Sequence, residues 1–381
     1  MSEAAAASLP DDAVFDILSR TPVRSVCRFR CVSRGWRALI TSDPAFHAAH
    51  RSRHTDPFLV DTGNSGGGEK PCIRIRDMDG NVVRIIEGVG GLGMLSTTSL
   101  DDLVCVHSDS HQDGVHVVDP ATGEVLVTSP GREVLTDDDG TVTRLYYPCF
   151  CVGRAGAAPS DPYKMVRLSR AGATCDVLTI GDLTARWRKA RAHPFPNYAP
   201  GTFAPPVAIN GVMYFMTHER PSDGTLLCFD LDKEQWKDEP VQGPRKVVGQ
   251  ELWESSTVSA HITELNGALC FVQREHHDMR EFHDDLCTNI WILDDSNKSS
   301  WTRAFKIPMS RGLYGCYHTP LRVMNDGESL LLQHDDDTTP WLSLLQVYYV
   351  RTEVCTYLPG TPASNIGLCN LHLEHLVSIK N

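Results

Sequence analysis

The sequence predicts a small all-α domain of three to four short helices followed by a large all-β domain. The chain of 381 residues is too long for one small domain and fits two, one of them large. Apolar residues recur at helical spacing only near the N-terminus. From about residue 57 onward the pattern changes to short apolar runs separated by turn residues, which is typical of strands.

The composition is that of a soluble globular protein, with 41% hydrophobic residues, 22% charged residues and a formal net charge of −12. No apolar run approaches the length that spans a bilayer. Residues 1–8 are Ala-rich, contain Glu3 and no basic residue, and do not resemble a secretory signal. We therefore expect no membrane association and a disordered segment over residues 1–8.

The thirteen cysteines are scattered, include no CxxC pair and lie mostly inside apolar runs such as "LVCV" and "ALCF". This usage indicates buried, reduced thiols that pack as small hydrophobes. Reduced thiols predict a cytoplasmic and/or nuclear protein.

Residues 9–50 are predicted to form the helical domain, and residues 51–56 a linker. Val14, Ile17 and Leu18 recur at i, i+3 and i+4, which gives one apolar stripe. Pro10 is predicted at the first helical position. Further along, Asp43 is predicted as a helix N-cap, followed by Pro44 at the first helical position.

This helical segment is strongly basic although the chain is acidic. Between Asp16 and Asp43 the charged residues are six arginines, at positions 20, 24, 28, 30, 34 and 37. The overall acidity argues against nucleic acid, which needs an extended basic surface. Because the arginines alternate with apolar residues, the pattern favours an interface with another protein.

The stretch "LPDDAVFDILSRTPVRSVCRFRCVSRGW" with the following "DPAF" resembles the F-box in the form common in plant F-box proteins. An F-box implies binding to a Skp-type adaptor and, through it, to a cullin scaffold. By this resemblance the adaptor-binding residues are Leu9, Pro10, Ile17, Leu18, Pro22, Val26, Val32 and Trp36. Trp36 fits the interface and internal packing equally well, whereas Val14 and Leu39 are expected to pack internally.

The remainder repeats a unit of strand, acidic turn and strand. Tryptophan occupies the same place in "VLTIGDLTARW", "LLCFDLDKEQW" and "IWILDDSNKSSW", as Trp187, Trp236 and Trp301. Asn-Gly turn signals precede two of these units, at Asn210 and Asn266. About four strands per repeat predict a β-propeller of about six blades over residues 57–381. Each tryptophan is expected to pack between neighbouring blades.

This second region also resembles the F-box-associated, kelch-like region of plant F-box proteins. The resemblance lies in "VHVVDPATGE" (115–124), "PYKMVRL" (162–168), "INGVMYF" (209–215) and the tryptophan units. The tail "NLHLEHLVSIK" is compatible with a strand that closes a blade and with a short helix.

Several polar clusters contain residue types that occur in metal or catalytic sites. The stretch "REHHDMREFHDDLC" could hold a metal, but a solvated loop between two strands fits it better. Such a loop could still recognise a target, through His276, His277, Arg280 and His283. The acidic runs 137–139 and 335–337 lack the glycine and distal glutamate of an EF-hand. We predict no catalytic residue, no cofactor and no metal.

These observations lead to one principal hypothesis, a non-catalytic substrate-recognition subunit of a Skp–cullin–F-box ubiquitin ligase. Its expected partners are a Skp-type adaptor, a cullin reached through the adaptor, and an unidentified target protein. The alternatives are a propeller enzyme or sugar-binding protein, and an F-box protein that acts outside a ligase.

Overall fold

A computed structural model describes the helical segment and most of the β-rich region. The described residues are 9–54, 57–65, 70–89, 103–107, 115–129, 133–136, 142–146, 149–158, 160–168, 174–182, 184, 186–191, 206–216, 224–244, 259–274, 287–294, 300–308, 316–324, 327–336, 339–358 and 366–369. The predicted disordered segment 1–8 and the tail 370–381 lie outside them.

Four helices form the N-terminal domain. They are α1 (Asp11–Ser19), α2 (Val23–Phe29), α3 (Arg34–Ser42) and α4 (Pro44–Arg53). Asp43 caps α4 as predicted, because its side chain accepts the backbone N–H groups of Ala45 and Phe46. The prediction for Pro10 was wrong by one position, since this residue is the N-cap of α1 and has extended backbone.

The end of the helical domain also differs from the sequence prediction. Helix α4 continues through Arg53, so the first half of the predicted linker 51–56 is helical. The last turn of α4 carries Arg51 and Arg53 beside His50. Burial lowers the pKa of His50 to about 4, so its imidazole is neutral. The two arginines interact favourably with the carbonyl end of the helix, which supports its continuation beyond His50.

The helices enclose a small core of their own, made of Val14, Leu18, Val26, Ile40 and Phe46. Phe15 packs edge-on against Phe46, with ring centroids 5.4 Å apart. Val23 contacts both this core and an apolar cluster of the β-domain that includes Val60 and Val106. The helical domain therefore touches the β-domain.

Four consecutive four-stranded antiparallel sheets make up the second half of the chain, and we call them blades III to VI. Blade III contains β9 (Cys149–Arg154), β10 (Tyr163–Leu168), β11 (Cys175–Thr179) and β12 (Arg188–Ala190). Blade IV contains β13 (Val207–Ile209), β14 (Val212–Met216), β15 (Leu226–Asp230) and β16 (Gln235–Trp236). Blade V contains β17 (Ser259–Leu265), β18 (Ala268–Arg274), β19 (Cys287–Leu293) and β20 (Trp301–Pro308). Blade VI contains β21 (Cys316–Met324), β22 (Ser329–Asp336), β23 (Thr339–Tyr349) and β24 (Val354–Tyr357).

Blade I is built from both ends of the β-domain. Its strands are β1 (Phe58–Ser65), β2 (Lys70–Arg76), β3 (Val82–Glu87) and the C-terminal β25 (Ile366–Cys369), in the order β25-β1-β2-β3. Blade II shows three described strands, β4 (Val104–His107), β5 (Val115–Val118) and β6 (Val125–Ser129), and a separate hairpin pairs β7 (Glu133–Thr136) with β8 (Val142–Tyr146). The chain thus forms a six-bladed β-propeller whose ring is closed by β25.

Buried apolar side chains fill each interface between neighbouring blades. Successive residues of a strand point to opposite faces, so Met165 packs towards blade II and Val166 towards blade IV. At each interface, buried residues from the two neighbouring blades belong to one apolar cluster. Examples are Val60 and Val106 (I–II), Val117 and Met165 (II–III), Val166 and Phe229 (III–IV), Leu226 and Phe271 (IV–V), Val272 and Leu332 (V–VI), and Leu331 and Leu59 (VI–I). The six interfaces together complete the ring.

The repeated tryptophans pack at blade interfaces, as predicted. Trp187, Trp236 and Trp301 lie against the clusters of interfaces II–III, III–IV and IV–V. The indole N–H of Trp236 donates to the carbonyl of Arg191 at 3.1 Å. That of Trp301 donates to the carbonyl of Gln242 at 2.7 Å. Each of these two bonds ties an outer strand to the preceding blade.

We expect Trp301→Phe to lower the free energy of unfolding by about 1–2 kcal/mol more than Trp291→Phe does. Both changes remove similar apolar area, but only Trp301 loses an indole hydrogen bond. The indole nitrogen of Trp291 is buried without a hydrogen-bond partner. Urea unfolding followed by circular dichroism measures the difference, and equal losses would contradict it.

Two Asn-Gly turns join inner strands to second strands. Asn210–Gly211 and Asn266–Gly267 all have positive φ, between 47° and 83°. They form two-residue hairpin turns between β13 and β14 and between β17 and β18. The inner strands β9, β13, β17 and β21 lie side by side, so both turns lie at the same end of the propeller axis.

Candidate functional site

The helical domain exposes a set of large apolar side chains. Leu9, Ile17 and Val32 are 59%, 53% and 60% exposed, and Pro10 and Pro22 are exposed as well. We call these five residues the exposed apolar set. Apolar residues that are exposed together on a small domain commonly mark a protein interface.

Three other residues that were predicted to contact the adaptor are placed differently. Leu18 and Val26 are 1% and 0% exposed and form part of the helical core. Trp36 is half-buried, with its ring edge-on to Phe29 at 5.8 Å. A partner could reach Leu18 and Val26 only if the helices moved apart, so their adaptor contact remains a prediction.

The helical domain that carries the exposed apolar set also carries many basic groups. Arg20 and Arg53 pair with Asp16 at 3.0 Å each, and the hydrogen bond from Arg20 is the main cause that lowers the pKa of the Asp16 carboxyl. Arg28, Arg34 and Arg37 are exposed. Residues 9–54 contain eight arginines and four aspartates, so the helical domain is positive in a chain of net charge −12.

Two families match the chain, and their boundaries agree with this architecture. The F-box domain matches residues 7–47, and the F-box associated beta propeller domain matches residues 158–353. The chain belongs to the F-box-associated propeller family. Residues 7–47 of this F-box protein cover the first three helices and the start of α4, and residues 158–353 extend from blade III into blade VI.

Curated relatives of this F-box protein come from Arabidopsis thaliana. The F-box/LRR-repeat protein At2g40920 is 24% identical over 77% of this chain and 67% of its own length. F-box protein At1g53790 is 24% identical over 85% and 70%, and F-box protein At3g07870 is 21% identical over 84% and 78%.

Solved structures show only a distant likeness. An oligogalacturonate lyase from Vibrio parahaemolyticus is 12% identical over 79% of this chain and 74% of its own, with a TM-score of 0.39. The WD40 domain of SCAP from fission yeast is 9% identical over 80% and 87%, with a TM-score of 0.31. At these TM-scores we base no argument on either protein.

The propeller of this F-box protein contains an axial cavity of about 370 Å³ where the inner strands end. Blades I, III, IV, V and VI all line it. Its polar lining consists of Arg154, Tyr163, Asn210, Glu264, Asn266 and Arg322. The sequence predicted the two Asn-Gly turns but not that they line a cavity. Their meeting at the propeller axis depends on how the blades are arranged, which the local sequence does not show.

Small residues let the inner strands approach each other at this cavity. A Cβ atom on Gly153 would lie 2.3 Å from the Cβ of Ala208 on the neighbouring inner strand. Gly211, with φ of +78°, would bring a Cβ to 2.7 Å from the carbonyl of Ala155. The cavity wall between blades III and IV is therefore formed by closely packed backbone.

The predicted target-binding residues His276, His277, Arg280 and His283 lie outside the residues that the structure describes. The described neighbours of their loop are Arg274, at the end of β18, and Cys287, at the start of β19. These strand ends lie opposite to the Asn-Gly turns, because β18 runs away from the turn at Asn266. The strand ends at Arg274 and Cys287 and the axial cavity therefore lie at opposite ends of the propeller.

A buried polar cluster connects blades V and VI near that loop. The two ring nitrogens of His318 lie 3.3 Å from the hydroxyl of Thr288 and 3.2 Å from a ring nitrogen of His334. Arg274 and Gln346 also face His318. Burial, followed by the nearby His334, lowers the pKa of His318 to about 4.

We expect His318 to make this F-box protein less stable in mild acid. Its folded pKa of about 4 lies below the usual 6.5, so the unfolded chain takes up a proton first as the pH falls. The contribution is present above pH 6.5 and is lost between pH 6.5 and 4, with about 2 kcal/mol lost by pH 5. Urea unfolding at pH 7 and pH 5 measures this loss, and His318→Gln should reduce it. Parallel losses in both proteins would contradict the prediction.

The described residues contain neither a cluster of metal-ligand side chains nor an apolar helix of membrane-spanning length. No group of three His, Cys, Asp or Glu side chains there is arranged to hold a metal ion. Among the described helices, none is both long and apolar enough to cross a bilayer.

Proposed function

We propose that this chain is the substrate-recognition subunit of a Skp–cullin–F-box ubiquitin ligase. The observation that carries the proposal is an F-box with exposed Leu9, Ile17 and Val32, joined to a propeller of the family that accompanies the F-box. The exposed apolar set binds the Skp-type adaptor, which in turn binds a cullin. The propeller holds a target protein.

The mechanism is proximity, and this chain contributes no catalytic residue. Holding the target beside the ubiquitin-charged enzyme turns an encounter between two molecules into a reaction within one complex. This mechanism requires that the propeller keeps a fixed position relative to the helical domain. The contact of Val23 with the apolar cluster between blades I and II supports such a fixed position. The arginines of the helical domain steer an acidic adaptor into place, whereas the apolar contacts supply most of the affinity.

Co-expression with a Skp-type adaptor and a cullin tests this function. The expected result is a stable ternary complex that attaches ubiquitin to proteins captured by the propeller. Adaptor binding without cullin binding would indicate an F-box protein that acts outside a ligase. Failure to bind any adaptor would contradict the proposal and favour a propeller enzyme or sugar-binding protein.

We further propose a cytoplasmic and/or nuclear location. All cysteines whose side chains are described are free thiols, and burial raises the pKa of Cys105 and Cys270 to about 12. Such thiols are inert and need no oxidising compartment. A fluorescent fusion seen in the secretory pathway would contradict this location.

A further inference from the structure

The described lining of the axial cavity carries more positive than negative charge, although the whole chain is acidic. Its described lining has two cations, Arg154 and Arg322, and one carboxylate, Glu264. Arg154 belongs to blade III and Arg322 to blade VI, which are opposite each other in a ring of six blades. A ligand on the axis would therefore have one of these two arginines on each side.

Several polar side chains of the cavity are held in place by contacts within the protein. The guanidinium of Arg154 donates to the hydroxyl of Tyr163 at 2.6 Å and lies 4.4 Å from the centre of its ring. The side-chain oxygen of Asn266 accepts the backbone N–H of Val323 at 3.1 Å, so its amide nitrogen is the donor end. The carboxylate of Glu264 accepts the N–H of Gly267 within its own turn.

These groups suit one kind of ligand. Guanidinium groups bind carboxylates through paired N–H donors, which gives both strength and orientation. An asparagine amide nitrogen adds a further donor. The volume of about 370 Å³ accommodates one side chain or one small molecule, and walls made by strands of five blades keep the donors fixed.

We propose that the axial cavity is a carboxylate-binding site through which the propeller reads an acidic side chain of its target. This inference rests on the proposed function, because it names the chemistry that the target must offer. It also places target recognition at the end of the propeller opposite to Arg274 and Cys287, the described neighbours of the predicted recognition loop.

Peptide selection on the full-length chain tests the proposal. A random dodecapeptide library is selected for binding, and the dissociation constant of an enriched peptide is compared with that of its Glu→Gln or Asp→Asn version. Succinate serves as a small free carboxylate in the same assay. The expected result is enrichment of acidic peptides, with at least 10-fold weaker binding of the amide version.

Variants of the chain locate the binding. Arg154→Gln and Arg322→Gln should each weaken the acidic peptide at least 10-fold. Arg351→Gln is the matched control, because Arg351 is 85% exposed in the turn between β23 and β24, outside the cavity. Glu264→Gln should strengthen binding several-fold, because Glu264 is the one carboxylate among the described lining residues. A misfolded variant could not produce that gain.

Two results would overturn the site: selected peptides without an acidic residue, or equal binding by the Arg154→Gln and Arg351→Gln variants. If succinate binds but no acidic peptide does, the proposal that the cavity recognises an acidic side chain of the target is wrong. Co-purification of the adaptor with each variant separates the two proposals. If the adaptor never binds, the proposed function fails, whereas peptide binding by the propeller is measured independently.

Discussion

Ile17→Gln is expected to weaken adaptor binding by about 100-fold while leaving the stability of the F-box protein almost unchanged. Ile17 is 53% exposed on α1, so the free protein tolerates a polar side chain there. In the complex, an amide would be buried without a partner and apolar contact would be lost. Together these effects cost about 2–3 kcal/mol, which corresponds to about 100-fold in affinity. Titration calorimetry with a purified Skp-type adaptor measures it.

Ile85→Gln provides a closely matched control. Ile85 is 50% exposed, almost as much as Ile17, but it lies on the outer strand β3 of blade I. Its replacement should leave adaptor affinity unchanged. If Ile17→Gln binds the adaptor as tightly as Ile85→Gln does, Ile17 is not part of the interface.

Leu18→Ala separates folding from binding. Leu18 is 1% exposed within the helical core, so its truncation should cost about 2–5 kcal/mol of unfolding free energy. Any loss of adaptor binding should then follow the unfolding of the helices. Weaker binding with an unchanged helical circular dichroism signal would instead show that the adaptor contacts Leu18.

Ile366→Ala is expected to lower the free energy of unfolding of the propeller by about 3–4 kcal/mol. Ile366 is 1% exposed and contributes to the apolar cluster between blades VI and I. It lies on β25, the strand from the end of the chain that pairs with β1. The truncation leaves a cavity at the one interface that the chain closes between its two ends. Urea unfolding followed by tryptophan fluorescence measures the loss.

Val354→Ala is the control for this substitution. Val354 is 50% exposed on the outer strand β24 of blade VI, so its truncation should cost less than about 1 kcal/mol. If Ile366→Ala is no more harmful than Val354→Ala, closure by β25 contributes little to stability.

Local chemistry made several elements predictable. Asp43 and Pro44 specify a helix start from neighbouring residues alone, and α4 begins there. Asn210–Gly211 and Asn266–Gly267 specify two-residue hairpin turns because both residues tolerate positive φ, and the structure shows these turns. The same holds for the tryptophan units, whose strand pairs β15–β16 and β19–β20 are present.

Features that depend on contacts between residues distant in the chain could not be predicted from the sequence. The burial of Leu18 beside the exposure of Ile17 depends on where α4 lies, because Phe46 on that helix belongs to the same core as Leu18. Closure by Ile366–Cys369 depends on pairing with β1, far away in the chain. The tail 370–381, whose pattern is compatible with a closing strand, lies outside the described residues.

The sequence by itself determined the helices, the hairpin turns, the number of blades and the family, since each follows from local spacing or from a repeated motif. Only the tertiary structure decided which helical residues are exposed, which strand closes the ring, and that Arg154 and Arg322 face one cavity. The physical reason is that these properties arise from contacts between residues distant in the chain, and a local pattern of side chains does not record such contacts.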